Sequence, residues 1–304
     1  MTRSASGRET RPHRGSAPPT LERFRSADSY RVRREWLRYE GTAQRDLYRQ
    51  LRERFLLRHA PSAGWVIDLG SGPGRFLPFV GRGGARRVAL DLSLGMLGLA
   101  PKAWSSAHVE GPVPDRVRGN ATRPPFAPER WAEVALMGNT LGFAGDQAGR
   151  LLEETEHLVA PDGVLLMEIA PGPGERSRYL ARLPPSAVAR LLESPVRAIL
   201  ARLDREGYRE EPVRHRTPKT FRRFSVTELV DRWRLKGWEL LETVAVAPSL
   251  GPDPERVQAA RKYEKSWSHL LELEEEAGRR PERWTSAAAV LLAVRHPSLK
   301  RMIK

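Results

Sequence analysis

An acid and three glycines at alternating positions, Asp68, Gly70, Gly72 and Gly74, lie within the run Val66-Ile67-Asp68-Leu69-Gly70-Ser71-Gly72-Pro73-Gly74-Arg75-Phe76-Leu77. Glycines so spaced let the backbone turn sharply and let a ligand reach main chain that a Cβ would shield. An apolar run ends in the acid and an apolar-spaced segment resumes after the glycines. This predicts a buried strand, a tight turn and the start of a helix. The free N–H groups of that helix start could hold an anionic group, so the chemistry indicated is the binding of a small-molecule cofactor. The dinucleotide fingerprint needs Gly or Ala at the sixth position. Arg75 stands there counting from Gly70, and Leu77 counting from Gly72, which disfavours hydride transfer. No Gly-Lys-Ser or Gly-Lys-Thr follows, which excludes the nucleotide phosphate loop.

The pattern that remains, acid-x-Gly-x-Gly-x-Gly, strongly resembles the first motif of class I S-adenosylmethionine-dependent methyltransferases. The resemblance assigns Asp68, Gly70, Ser71, Gly72 and Gly74 to the cofactor, with a methionyl group rather than a phosphate at the glycines. A second apolar run, Arg87-Val88-Ala89-Leu90-Asp91-Leu92-Ser93, follows about 20 residues on, the spacing of a β-α-β unit. It puts the Asp91 carboxylate at the end of the adjacent strand, beside Leu92, where it can accept from both ribose hydroxyls. Ser93 can cap the next helix through Leu94, Met96, Leu97 and Leu99. Gly119-Asn120-Ala121-Thr122-Arg123-Pro124-Pro125-Phe126 is similar to the family's third motif, usually Gly-Asp-Ala followed by Pro-Phe. In the family that aspartate accepts from the adenine amino group and the next backbone N–H meets a ring nitrogen. The resemblance gives these roles to Asn120 and Ala121, with a neutral acceptor in place of a charged one.

The elements that must position these residues keep family register for over a hundred residues. Trp131 to Thr140 reads as the fourth strand, running into the cleft. Asp146 to Val159 reads as a helix, and Pro161-Asp162-Gly163 turns into a fifth strand, Val164 to Ile169. Ser225-Val226-Thr227-Glu228 is a capping box that opens a helix through Leu229, Val230 and Trp233. Gly237 stops that helix and Trp238 to Ala247 is the sixth strand. Asp253-Pro254-Glu255 starts a helix that runs on through Tyr263, Trp267 and Leu270 toward Gly278. Ala287 to Val294 is the last strand. The fold expected is α/β: a Rossmann-like, seven-stranded, mostly parallel sheet with the last strand antiparallel and helices on both faces. Residues 1–20, rich in Arg, Ser, Gly and Pro, form a disordered basic tail. Residues 21–60 form a helical N-terminal cap, interrupted near Gly41-Thr42, which the resemblance lays over the cofactor cleft. The methyltransferase domain covers 61–296, with 173–224 a substrate-covering helical insertion, and 297–304 are a tail.

Methyl transfer from a sulfonium is an in-line displacement that needs alignment and exclusion of water, and a base only when the nucleophile must first lose a proton. The catalytic residues are therefore less legible than the cofactor's. The carboxyl ends of strands offer Asn139 and Glu168. Gly138-Asn139-Thr140 resembles the Gly-Asn-Ser of some small-molecule N-methyltransferases, which makes Asn139 a candidate for both cofactor and acceptor. Glu168 could bind a substrate amine, act as a base, or pair with an arginine. His215, in a basic, proline-flanked stretch of the insertion, is a possible base. Tyr30, Tyr39 and Tyr179 could close over the methyl donor.

The 304 residues carry no cysteine, which excludes disulfides, thiolate metal sites and thiol nucleophiles, and the seven histidines have no metal-ligand spacing. No apolar run approaches the roughly 20 residues of a membrane span, and no apolar signal segment opens the chain, so a cytoplasmic location is expected. The formal net charge of +15 invites an RNA reading. Against it, the basic residues are mostly arginines spread along the chain and no RNA-binding module accompanies them. The Asn/Asp-Pro-Pro-aromatic signature of exocyclic-amine methylation in nucleobases is missing after the fourth strand. The reading is a methyltransferase acting on an amine, hydroxyl or carbon of a small molecule. The alternatives are an RNA methyltransferase and an inactive cofactor-binding regulatory subunit.

Overall fold

The computed structural model describes residues 29–39, 41–109, 111–171, 176–177, 185–195, 198, 210–211, 223–249 and 254–298. Its helices are α1 (Ser29–Trp36), α2 (Ala43–His59), α3 (Leu94–Leu97), α4 (Ala100–Ser106), α5 (Thr140–Phe143), α6 (Ala148–Leu158), α7 (Pro185–Leu192), α8 (Val226–Leu235), α9 (Pro254–Arg261) and α10 (Glu264–Gly278). Seven strands make one sheet: β1 (Trp65–Leu69), β2 (Arg86–Asp91), β3 (Asp115–Arg118), β4 (Trp131–Leu136), β5 (Val159–Ile169), β6 (Glu239–Val246) and β7 (Ala289–Arg295). Their order is β3-β2-β1-β4-β5-β7-β6, parallel from β3 to β5, with β7 antiparallel to both of its neighbours. Arg176–Ser177 and Glu210–Glu211 pair as a separate two-stranded ribbon.

Side chains of period two divide the core into the two faces of this sheet. Val66, Ala135, Leu166, Val246 and Leu291 face a cluster with α2, α9 and α10. Ile67, Leu69, Leu90, Val134, Leu165 and Leu292 face a cluster with α6 and α8. The capping residues do what their types dictate. The hydroxyls of Thr42, Ser93 and Ser225 accept from the N–H groups of Arg45, Met96 and Glu228, opening α2, α3 and α8.

Four local expectations are corrected. No helix follows the glycine loop: a single 3₁₀ turn, Leu77–Phe79, is all that forms. Pro78 has no N–H to donate, and Gly81 takes the left-handed conformation three residues on, so the chain has no length for further turns. Pro161-Asp162-Gly163 does not separate helix from strand. The ladder already pairs Trp131 with Val159 and then shifts register before pairing Glu133 with Val164, so the turn is a bulge inside β5, with Asp162 at φ 62. The long helix expected from residue 254 to 278 is broken at Tyr263, whose extended backbone restarts it as α10. Finally, α2 is not a lid over the cleft. Its Leu47, Leu51, Phe55 and Leu56 are fully enclosed against the sheet with α9 and α10, each such side chain contributing roughly 1.5–3 kcal/mol. Of the N-terminal segment, α1 is the part beside the glycine loop: the Arg75 guanidinium lies 4.2 Å and the Lys102 ammonium 4.7 Å from the Trp36 ring centre.

Candidate functional site

The site is built where β1, β2 and β4 end, at the point where the strand order reverses. After β1 the N–H groups of Gly70 and Ser71 both donate to the Leu90 carbonyl, at 2.7 and 3.0 Å, which ties the loop to β2. All three motif glycines have positive φ, but for different neighbours. A Cβ on Gly70 would lie 2.5 Å from Cγ2 of Thr140, and one on Gly74 would lie 2.9 Å from Cβ of Ala100 and Cδ1 of Leu77. A Cβ on Gly72 would meet nothing within 4 Å. Packing thus demands glycine at 70 and 74, whereas at 72 the demand is conformational and the backbone faces open space.

Asp91 ends β2. Its two carboxylate oxygens accept from the Gly72 N–H at 2.9 Å and the Ser93 N–H at 2.8 Å. Burial pushes its pKa up, against the pull of the Ser93, Gly72 and Leu92 backbone groups. With three backbone donors on four acceptor positions, one position remains open. Asp68 is buried, its Oδ1 has no partner, and burial with the nearby Asp91 charge raises its pKa to about 8, against a hydrogen bond from Met137. Ser71 Oγ is likewise buried without a partner. Asn120 and Ala121 are half-buried after β3. The Asn120 carbonyl already accepts from both the N–H and the hydroxyl of Thr122, each at 3.0 Å. Leu92 is half-buried beside Asp91.

After β4, Gly138 and Asn139 take left-handed φ values of 65 and 63. Thr140 locks this turn to the glycine loop: its methyl and hydroxyl fill the space a Gly70 Cβ would need, and the hydroxyl donates to Met137 O at 2.7 Å. Asn139 is buried, its Nδ2 donates to Glu168 Oε1 at 3.2 Å, and its Oδ1 has no partner. Glu168, fully buried at the end of β5, is bracketed by Arg52 of α2, with Nε to Oε2 at 2.8 Å and Nη2 to Oε1 at 2.7 Å. The Gly138 N–H adds a bond to Oε2 at 3.1 Å. Burial alone would raise the Glu168 pKa, but Arg52 above all, with Arg38 and Gly138, holds it below the ordinary value.

Of the sequence-predicted residues, then, Asp68, Gly70, Ser71, Gly72, Asp91 and Asn139 come together. Glu168 adjoins them; four donors occupy its acceptor positions and it pairs with Arg52, the arginine pairing being one of the roles its position allowed. His215, Tyr179 and most of the insertion lie outside the described residues, as do the side chains of Tyr30 and Tyr39. Sequence reasoning missed Arg52, Thr140 and Glu133. Only Glu133 left a signal, as an acid inside an apolar strand. It is fully buried beside Asp68 and Arg87, and burial drives its pKa well above the ordinary value. Among the described residues no group of three or more His, Asp or Glu could hold a metal, and no helix is long and apolar enough to cross a membrane.

Residues 67–167, which run from within β1 to within β5 and include the loops after β1, β2, β3 and β4, match the family model of the methyltransferase domain. The chain carries the class I S-adenosylmethionine-dependent methyltransferase fold. Its sheet is similar to that of magnesium protoporphyrin IX methyltransferase from Synechocystis PCC 6803, solved with bound S-adenosylmethionine, at 12% identity and a TM-score of 0.51 over 92% of this chain and 99% of that one. The methyltransferase in complex with the Trm112 activator from Haloferax volcanii is similar at 18% identity and a TM-score of 0.50, over 89% and 95%. No curated protein sequence matches the chain. At these identities the likeness is one of fold.

Proposed function

We propose that the chain transfers a methyl group from S-adenosylmethionine to a nitrogen, oxygen or carbon atom of a small molecule. The observation that carries the reading is the set of buried acceptors without partners, Asp68 Oδ1, Ser71 Oγ and Asn139 Oδ1, beside a glycine that faces open space. Buried polar atoms are rarely left unpaired. Three acceptors near one another suit a ligand rich in donors, as the ammonium of a methionyl group is. Asp91 retains acceptor capacity for the ribose hydroxyls, and Ala121 follows Asn120 where the adenine edge would lie. The cofactor supplies an electrophilic methyl group on a sulfonium.

The chain's own residues hold and orient. Asp91 both braces the glycine loop through Gly72 and offers the ribose its open acceptor position. Thr140 keeps the turns after β1 and β4 in contact, so the methionyl end and the acceptor side of the cleft stay aligned. Glu168 cannot remove a proton from the acceptor while Arg52 occupies it. A neutral amine fits this best, since its lone pair attacks directly and its proton leaves after transfer.

Differential scanning fluorimetry tests the cofactor: S-adenosylhomocysteine is expected to raise the Tm and NAD to leave it unchanged, and stabilisation by NAD alone would overturn the reading. Asp91→Ala is expected to abolish the shift. Radiolabelled methyl transfer into fractions of a cell extract tests the acceptor. Label in the small-molecule fraction supports the proposal. Label in RNA, released from the protein steeply by salt, would transfer the argument to the basic surface, and label in neither would favour a regulatory subunit.

A further inference from the structure

The turn after β4 contains a choice that its own residues do not make. An asparagine amide has two nearly isosteric ends, one donating and one accepting, and here one end is buried against Glu168 while the other is left without a partner. Which end faces the ligand decides whether the site recognises a donor or an acceptor. An ionised carboxylate only accepts, so it binds the amide nitrogen and turns the oxygen outward; a protonated one could donate and bind the oxygen instead. The charge on Glu168, fully enclosed at the end of β5, depends on Arg52, which is 116 residues away in sequence, 4% exposed, and bonded to both carboxylate oxygens. Arg52 is itself fixed by donating through Nη1 to the Tyr48 carbonyl of α2 at 2.8 Å. The same carboxylate holds the Gly138 N–H, so it also pins the backbone of two consecutive left-handed residues.

We propose that Arg52 is a positioning residue that sets the hydrogen-bond polarity of Asn139. By keeping Glu168 an acceptor, it obliges Asn139 to turn Nδ2 inward and to present Oδ1 to the ammonium of the methionyl group. This rests on the cofactor assignment above. It adds that a helix packed on one face of the sheet, outside the cofactor motifs, controls what the site recognises. Arg52 touches no ligand and acts through Glu168.

Isothermal titration with two ligands tests it: S-adenosylhomocysteine, which has the ammonium, and 5′-methylthioadenosine, which lacks the amino-acid group. The variants are Asn139→Ala, Arg52→Lys and the double Arg52→Gln/Glu168→Gln. The double variant keeps the pair hydrogen-bonded and neutral, so no lone charge is buried; its melting curve verifies folding. Asn139→Ala and the double variant are each expected to weaken S-adenosylhomocysteine about tenfold or more, the loss of one hydrogen bond to a charged group. Methylthioadenosine is expected to stay within about twofold of wild type in every variant. Combining all three substitutions should add no further loss, since they remove one interaction. Arg52→Lys keeps the positive charge and should remain within about threefold of wild type. Normal S-adenosylhomocysteine binding by the double variant would overturn the proposal. So would equal losses for both ligands, additive losses in the triple variant, or a full loss in Arg52→Lys. If the folded wild type binds neither ligand, the cofactor assignment itself fails, which is a different result from any of these.

Discussion

The turn after β1 and the turn after β4 stand side by side and touch at Thr140 and Gly70, yet they are made in opposite ways. Residues 70–74 are shaped mostly by their own types. Glycine supplies positive φ three times, and the nearest anchors, Leu90 and Asp91, lie on the next strand about 20 residues on. Gly138-Asn139 takes the same left-handed conformations, but with a residue for which that is uncommon. What holds it there is Glu168 from β5 and, behind it, Arg52 from α2. A locally encoded loop tolerates change around it and fails when its own residues change. A turn held from a distance does the reverse.

Substitutions of glycine test this most strongly. Gly70→Ala combines the positive φ with a Cβ 2.5 Å from Thr140, and it is expected to cost about 3 kcal/mol or more and to abolish S-adenosylhomocysteine binding. Denaturant unfolding measures it. A loss no larger than that of Gly138→Ala would mean that Thr140 does not lock the two turns.

The next effect is on pH dependence. Asp68, with its pKa raised to about 8 by burial and the nearby Asp91 charge, is expected to hold its proton in the free protein at neutral pH, and an ammonium arriving beside it favours the carboxylate. Affinity for S-adenosylhomocysteine is therefore expected to rise by up to about tenfold per unit toward pH 8 and then flatten. Titrations in buffers of different ionisation enthalpy would count the proton released. The same shift has a sign for stability. A carboxyl whose folded pKa is raised contributes stability below its unfolded pKa of 3.8 and loses it as pH climbs toward 8. Asp68→Asn should accordingly raise the Tm of the free protein, more at pH 9 than at pH 5, while flattening the affinity profile. An unchanged profile in this variant would remove Asp68 from the ligand.

Smaller effects separate the two turns further. Gly138→Ala has positive φ but no neighbour within 4 Å, so only the conformational cost of about 1 kcal/mol is expected; circular dichroism melts suffice to see it. Asn120→Asp, outside both turns, replaces an oxygen already bound twice by Thr122 with a carboxylate that has lone pairs to spare. It should tighten S-adenosylhomocysteine by about threefold, and a loosening would indicate that the adenine lies elsewhere.

Much of the fold was legible because parallel strands buried on both faces read as apolar runs, and capping residues announce their helices. β3 was not read as a strand. Asp-Arg-Val-Arg at the sheet edge has one partly buried apolar residue, and edge strands carry charge by rule. The breaks at Tyr263 and the bulge at Asp162 were also hidden, since a continuous apolar pattern does not record a local change of direction. In the site, Asp68, the glycines, Asp91 and Asn120 were visible because each belongs to a short motif. Arg52 was one arginine among many, with nothing local to single it out.

The amino-acid sequence by itself determined which ligand class the chain is built for. Glycine spacing and strand-end acids act over a few residues, and their chemistry is the same wherever they fold. Only the tertiary structure decided how those groups are charged and which way they face. Burial raised the pKa of Asp68 and Arg52 lowered that of Glu168, and Glu168 in turn accepts from Asn139 Nδ2 and leaves Oδ1 without a partner. Those are effects of desolvation and of contacts between residues 29 and 116 positions apart, which no local pattern contains.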